Sequence, residues 1–255
     1  MTLPRLYLPR PLERGDLCDP TTDQARYLGT VLRMREGDPL LVFNGTGQEY
    51  GAVLKRGPSG ILLEITDLRT EPAAGIDITL CQAIPKAEKL DGIVRHATEL
   101  GVSRIIPFFA ERSVPRWPEA KSLLKRERWQ KIALEGARQS GRTDIPEIGP
   151  VVPFDEMLRS ARPGALGLIL WEGETELGIR EVFRAPRYDG VEAFHLAIGP
   201  EGGFGHEEIE QAHRAGFLSV SLGRRVLRVE TAALTVLALV QYEKGALGGG
   251  RGSAP

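Results

Sequence analysis

The sequence predicts an α/β protein in two parts, a small β-rich N-terminal domain and a larger domain built on a parallel sheet. Three observations predict it. Short β-prone runs crowd the first seventy residues, and from Ile76 onward short apolar strands alternate with longer helical segments. Between the two patterns, "RTEPAAGID" at 69–77 gathers Pro, Gly and small residues, which reads as a linker with a boundary near residue 73. The expected domains are 1–72 and 73–246, with 247–255 as a disordered tail because "GGGRGSAP" has nothing to pack.

In the first part, "LLVFNG" at 40–45, "EYGAVLK" at 49–55 and "GILLEITDL" at 60–68 are the strands. One helix is expected between Pro20 and Met34, capped by Thr22, with Tyr27, Leu28, Val31 and Leu32 as an apolar stripe closing one end of a small sheet or barrel. In the second part the strands are "ITLCQAI", "RIIPFF", "ALGLILW" at 165–171, "FHLAIG" at 194–199 and "LSVSLG" at 218–223. Helices are expected near 87–100, 118–140, 175–184, 206–215 and 230–244. A parallel sheet of this kind binds ligands at the carboxyl ends of its strands.

Composition narrows the function. The 255 residues are 42% hydrophobic and 26% charged, with a net charge of −1, which describes a globular protein able to bury a core. No apolar run approaches the roughly 18 residues of a membrane helix, and "MTLPRLYLPRP" lacks the apolar centre of a secretory signal, so no membrane or export role is expected. Cys18 and Cys81 lie apart from each other and from any His at ligand spacing, which suggests neither a disulfide framework nor a metal site and fits the cytoplasm. The charge is uneven: residues 86–142 hold 13 Lys+Arg against 7 Asp+Glu, while 143–255 hold 11 against 16. A basic stretch suits an anionic partner, although it also suits a solvated helix face, where Lys121, Lys125, Arg126 and Lys131 are placed.

Three strand ends finish in Gly-containing turns, "LILWEGE" at 168–174, "LAIGPEGGFG" at 196–205 and "SLGRRVLRVETA" at 221–232, and their shared position predicts one composite pocket. In the middle turn Gly199, Gly202, Gly203 and Gly205 allow close backbone approach to a ligand, against the plainer alternative of an ordinary Gly-Pro loop. Neither the dinucleotide fingerprint nor the nucleoside-triphosphate loop is present, which argues against those standard sites and brings another nucleoside cofactor into consideration. "LRVETA" is either functional or a capped helix start whose Arg228 and Glu230 pair with each other. His206 and His213 share a solvated helix face, His195 belongs in the core or at an interface, and no metal is expected.

"IGPEGGFG", then "LGRRVLRVETA", with "KAEKLDGIVRHATELGVSRIIPF" and "RQSGRTDIPEI" upstream and "VLRMREGDPLLVFNGTGQEY" at 31–50, resembles the ribosomal RNA small subunit methyltransferase E family of the SPOUT superfamily over nearly the whole chain. The resemblance implies a PUA-like β-barrel followed by a SPOUT-type parallel α/β domain with a C-terminal trefoil knot, working as a homodimer in ribosome biogenesis. It also implies methyl transfer from S-adenosylmethionine to N3 of a uridine in small-subunit (16S) ribosomal RNA. The cofactor pocket would then comprise Leu170, Gly173, Ile198, Gly199, Glu201, Gly202, Leu222, Leu227, Arg228 and Thr231. Uracil N3 is a poor nucleophile until it loses its proton. Arg228 is the expected catalytic cation, and Glu230 is either the proton acceptor or a group that orients Arg228. For RNA, Lys86, Arg138 and Arg142 in the second part, and Arg5, Arg10 and Arg33 in the first, are the expected phosphate contacts. The chain departs from the family pattern at Arg138, where an acid is expected, and at His96, where a basic residue is expected. Competing with this are a methyltransferase for another RNA such as transfer RNA, a non-catalytic RNA-binding or ribosome-assembly protein, and a nucleotide-binding oxidoreductase.

Overall fold

The computed structural model describes residues 3–58, 60–70, 75–114 and 116–248. The chain divides into two compact units, residues 1–74 with 137–145, and residues 75–136 with 146–255. Residues 137–145 thus leave the continuous 73–246 domain expected from the sequence. The expected boundary at residue 73 and residues 249–255 of the expected tail lie outside the described residues.

The first unit contains β1 (Arg5–Tyr7), β2 (Leu17–Cys18), α1 (Thr22–Arg26), β3 (Pro39–Phe43), β4 (Glu49–Gly57) and β5 (Gly60–Thr70). Its sheet runs β1-β3-β4-β5-β2, antiparallel except for the parallel β1/β3 pair. Leu6, Leu40, Val42, Leu54, Leu63 and Ile65 fill its core. The expected helix is shorter than its pattern. Its cap is Thr21 rather than Thr22, in a reciprocal box with Gln24, and after Arg26 the backbone widens into a π-helical turn over Tyr27–Val31. The wider turn rotates the stripe off one face: Leu28 is buried, whereas Val31 is 65% exposed.

The second unit contains β6 (Asp77–Ala83), α2 (Lys89–Glu99), β7 (Arg104–Phe109), α3 (Glu119–Ser140, its last residues in the first unit), β8 (Glu147–Ile148), β9 (Val152–Pro153), α4 (Phe154–Arg159), β10 (Leu166–Leu170), α5 (Ile179–Arg184), β11 (Ala193–Ile198), α6 (His206–Arg214), β12 (Leu218–Val220) and α7 (Val229–Glu243). The sheet is parallel, in the order β12-β10-β11-β6-β7-β8, with β9 also on β7. Because both faces are covered, its strands are apolar throughout rather than alternating. Cys81, Ile106, Ile169 and Ala197 pack with Met157 of α4 and Ile209 and Ala212 of α6. The alternate residues Leu80, Ile105, Leu168 and Leu196 are equally buried and point to the opposite face. α7 packs on α2, β6 and β11. Cys18 and Cys81 are free and buried, and burial pushes the Cys81 thiol up to about 12.

His195 lies inside β11, 1% exposed, with its Nε2 facing the Arg162 amide at 3.4 Å and its Nδ1 without a hydrogen-bond partner among the described residues. Burial pushes this imidazole down to about 4, against the opposing pull of Asp77. A neutral folded histidine competes with an unfolded one that protonates near pH 6.5. The stability it contributes is therefore complete above about pH 6.5 and falls as the pH drops toward about 4, by about 3 kcal/mol in all. Urea unfolding of the wild type and of His195→Leu between pH 7 and 4 checks this. The variant is expected to lose less stability over that range, and equal slopes would reject the assignment.

Candidate functional site

Strand register builds the site. Leu170 pairs with Ile198 on one side and with Val220 on the other, so β10, β11 and β12 end side by side and their loops leave from one edge. The chain passes from β10 to β11 and then back across to β12, which makes β10 the point where strand order reverses and a crevice opens. A cavity of about 590 Å³ lies there, bounded by the loops at 171–178, 199–203 and 221–227 and the start of α7. That volume is within the range of small-molecule sites, roughly 300–1,000 Å³.

Its walls are chemically divided. Leu170, Ile198, Val220, Leu222 and Leu227 line it with apolar surface; Glu172, Glu174, Glu176 and Glu181 bring carboxylates, and Arg224 and Arg225 bring cations. Glu174 fixes the first loop, accepting hydrogen bonds from the amides of Glu176 at 2.8 Å and Leu177 at 3.1 Å and from the Ser219 hydroxyl. Burial opposes its charge, but those hydrogen bonds outweigh it and hold the carboxyl below its ordinary range. Because Ser219 gives its only proton to Glu174, His213 Nε2, 3.0 Å from the same hydroxyl, must be the donor in that contact. The first loop is also tied to the third, with the Ser221 amide donating to Leu177 O at 2.9 Å and the Ile179 amide to Ser221 O at 3.0 Å. These ties hold residues 175–178 out of α5, which starts at Ile179 instead of near 175.

The Gly loop after β11 has two faces. Gly199 and Gly203 face the cavity, while the other side is fastened to the loops after β6 and β7. The Glu201 carboxylate accepts from the Lys86 amide at 3.1 Å and from Lys89 Nζ at 2.9 Å; Gly202 O accepts from Arg112 Nη1 at 2.8 Å. Buried Glu208 joins two segments, accepting from the Gly205 amide at 3.0 Å and the Glu111 amide at 2.9 Å. Burial opposes the Glu201 charge, and the Lys89 hydrogen bond overrides it, leaving the carboxyl below its ordinary range.

Of the expected pocket residues, Leu170, Ile198, Gly199, Leu222 and Leu227 line the cavity, and Gly173, Glu201, Gly202, Arg228 and Thr231 do not. Gly173 makes room for the Trp171 ring, which a Cβ would approach to 2.5 Å. Several loop glycines likewise clear protein rather than ligand: a Cβ on Gly203 would meet the Glu172 carboxylate at 2.5 Å, and one on Gly205 would meet Glu111 at 2.7 Å. Arg228 occupies the N-cap position of α7 without a side-chain capping hydrogen bond and is exposed, as is Thr231. Glu230 does not pair with Arg228; its ion pair is with Lys89, at 3.6 Å.

S-adenosylmethionine fits the residues present. The apolar walls suit an adenosine, the bare backbone of Gly199 allows close approach, and the Glu side chains face a cation with no need for a phosphate cradle. Comparison with known proteins points the same way. A family model for the RNA methyltransferase domain matches residues 49–241, and one for the RNA methyltransferase PUA domain matches 20–66. The ribosomal RNA small subunit methyltransferase E of Bacillus subtilis is 32% identical over 88% of this chain and 89% of its own. That of Rickettsia conorii is 30% identical over 93% and 94%. The chain belongs to the ribosomal RNA small subunit methyltransferase E family. Among solved structures, the Neisseria gonorrhoeae member bound to S-adenosylmethionine aligns with a TM-score of 0.83 at 31% identity, covering 94% of this chain and 97% of that one. A Legionella pneumophila protein in complex with S-adenosylmethionine aligns at 0.81 and 34%, covering 95% and 98%.

The expected RNA contacts fare unevenly. Arg5, 12% exposed, pairs with Glu49 and donates to Arg138 O at 3.1 Å and Arg142 O at 3.0 Å. Arg142, 14% exposed, pairs with Asp144. Both guanidinium groups hold the first unit together rather than face solvent. Arg138 lies over the Tyr27 ring, 5.8 Å from its centre. Arg10, Arg33 and Lys86 are exposed, and Arg33 adopts a left-handed backbone with φ of 53°. Sequence reasoning missed Glu172, Glu174, Arg224 and Arg225 on the cavity wall, Lys89, and Glu208. Glu208 had a signal, since Gly205 followed three residues later by Glu is a helix-start pattern.

Proposed function

We propose that the protein methylates N3 of a uridine in small-subunit ribosomal RNA, with S-adenosylmethionine held in the cavity between the three strand-end loops. The observation that carries this is the register that sets Leu170, Ile198 and Val220 side by side, gathering the family's motifs around one cavity with apolar and charged walls. Bound there, S-adenosylmethionine supplies an electrophilic methyl group. Leu170, Ile198, Gly199, Leu222 and Leu227 hold it, with the lining carboxylates turned to its positive charge. Glu230 takes the N3 proton, and Arg228, exposed at the N-cap position of α7 between the cavity-lining Leu227 and Val229, stabilises the negative charge left on uracil.

In this reading the first unit is a PUA-like barrel that grips RNA with Arg10 and Arg33, Arg138 remains a candidate contact, and Lys86 is retained as a phosphate contact of the second unit. The return of the chain from β12, past the 171–178 loop and on to α7, supports a trefoil knot. A homodimer is supported by exposed Leu239 and Tyr242 on α7. Among the described residues no helix is long and apolar enough to cross a membrane, which is compatible with cytoplasmic work on ribosomal RNA.

The test is transfer of labelled methyl from S-adenosylmethionine to small ribosomal subunits from a strain lacking this protein, followed by nucleoside mass analysis. A single 3-methyluridine is expected; label on transfer RNA instead would replace the substrate, and no label on either would reject the activity. Arg228→Ala is expected to lower kcat about tenfold or more with cofactor affinity kept, because a cation beside the developing charge acts in the transition state. A rate within a few-fold of wild type at saturating cofactor would remove Arg228 from catalysis.

A further inference from the structure

Outside the cavity lining, but adjoining Val229 and Ala232 of α7 that line it, three segments meet through a single ammonium group. Lys89 opens α2, and its Nζ donates to Glu201 Oε1 at 2.9 Å while lying 3.6 Å from Glu230 Oε2. The two carboxylates depend on it to different degrees. Glu201 has other support, because both its oxygens accept from the Lys86 amide, at 3.2 and 3.1 Å. Glu230 Oε2 is buried and receives no hydrogen bond, so among the described residues its compensation is the Lys89 charge. With that oxygen screened from water and given no donor, the Lys89 ammonium is the charged side chain that offsets it, beside the positive start of α7.

We propose that Lys89 is a positioning residue for methyl transfer: anchored to the Gly loop by Glu201, it fixes the Glu230 carboxylate at the start of α7 in the place where it accepts the uridine N3 proton. The inference rests on the reading of Glu230 as proton acceptor. Lys89 is not itself that acceptor, since its hydrogen bond to Glu201 favours the charged ammonium, which has no lone pair to receive a proton. Nor is it a cofactor contact, because it lies outside the cavity lining. At 3.6 Å, longer than its bond to Glu201, the ammonium tethers the Glu230 charge without occupying the lone pairs of Oε2 by a hydrogen bond, which leaves that oxygen able to receive a proton.

The experiment compares wild type, Lys89→Met, Lys89→Arg, Glu230→Gln and the Lys89→Met/Glu230→Gln double variant. For each, S-adenosylmethionine affinity is measured by calorimetry, thermal stability by unfolding, and kcat and KM by 3-methyluridine formation on small subunits. Lys89→Met is expected to lower kcat by about tenfold or more, with KM and cofactor Kd within about threefold, and Lys89→Arg to recover most of the rate. If Lys89 acts through Glu230, the double variant is no slower than Glu230→Gln alone, because two residues serving one step are not additive. A double variant slower than Glu230→Gln by the full Lys89→Met factor overturns the proposal, and so does loss of cofactor affinity in Lys89→Met. Should Lys89→Met fail to fold, the rates of Lys89→Gln and Lys89→Arg decide instead, and equal kcat in those two overturns it. A wild type that forms no 3-methyluridine, or a Glu230→Gln protein at the wild-type rate, defeats the parent reading and this inference with it.

Discussion

Glu230→Gln is expected to transfer methyl about 10²- to 10⁴-fold more slowly than the wild type while binding S-adenosylmethionine with unchanged affinity. Glutamine keeps the size of the side chain and loses its ability to take a proton. The competing account of Glu230 is structural, since it sits in the first turn of α7, where a carboxylate stabilises the positive helix end. Magnitude separates the two. Loss of a helix-end charge costs about 0.3–1 kcal/mol of stability, whereas a hundredfold loss in kcat corresponds to about 2.7 kcal/mol in the barrier. Single-turnover rates at saturating cofactor, set beside Tm, make the check. A small drop in Tm with a rate within a few-fold of wild type would leave Glu230 as a helix-end charge and require another acceptor.

The parts of this protein that were legible in its sequence are those governed by local pattern. β3, β4, β6, β7 and β11 fall where β-prone runs stand, and α2, α3, α6 and α7 start and stop within about two residues of their punctuation. What escaped is what distant residues decide. Arg5 is indistinguishable from a surface arginine until the fold brings Arg138 and Arg142, 133 and 137 residues away, under its guanidinium. Likewise the density of glycine in the Gly loop reads as clearance for a ligand. At Gly202, Gly203 and Gly205 the missing side chain instead makes way for Arg112, Glu172 and Glu111, none of which is near in sequence. The short β8, β9 and α4 were missed because two-residue strands and a six-residue helix carry too few positions to show a period. Lys89 looks like one charge in a basic run, and only the arrival of Glu201 and Glu230 from two other segments gives it a role.

Gly199 differs from the other glycines of this loop in what lies behind it, an aromatic ring of the core rather than a charged side chain, while its backbone lines the cavity. A Cβ there would lie 3.2 Å from the Phe204 ring. That ring cannot retreat: Phe204 is buried, stacked on Phe108 with centres 6.3 Å apart, and in contact with Phe154 at 5.8 Å. A valine at this position must therefore push its methyl groups into an already packed aromatic cluster, costing about 1–3 kcal/mol, or shift the loop into the cavity. Gly199→Val is accordingly expected to weaken S-adenosylmethionine binding by about thirtyfold or more and to abolish the rise in Tm that saturating cofactor gives the wild type. Gly199→Ala adds a single methyl at a marginal distance and is expected to lose much less. Both quantities come from one titration followed by thermal unfolding. If Gly199→Val folds and binds cofactor as the wild type does, the cavity between the three loops is not the cofactor site, since a side chain there displaces either the buried Phe204 ring or the loop that lines the cavity.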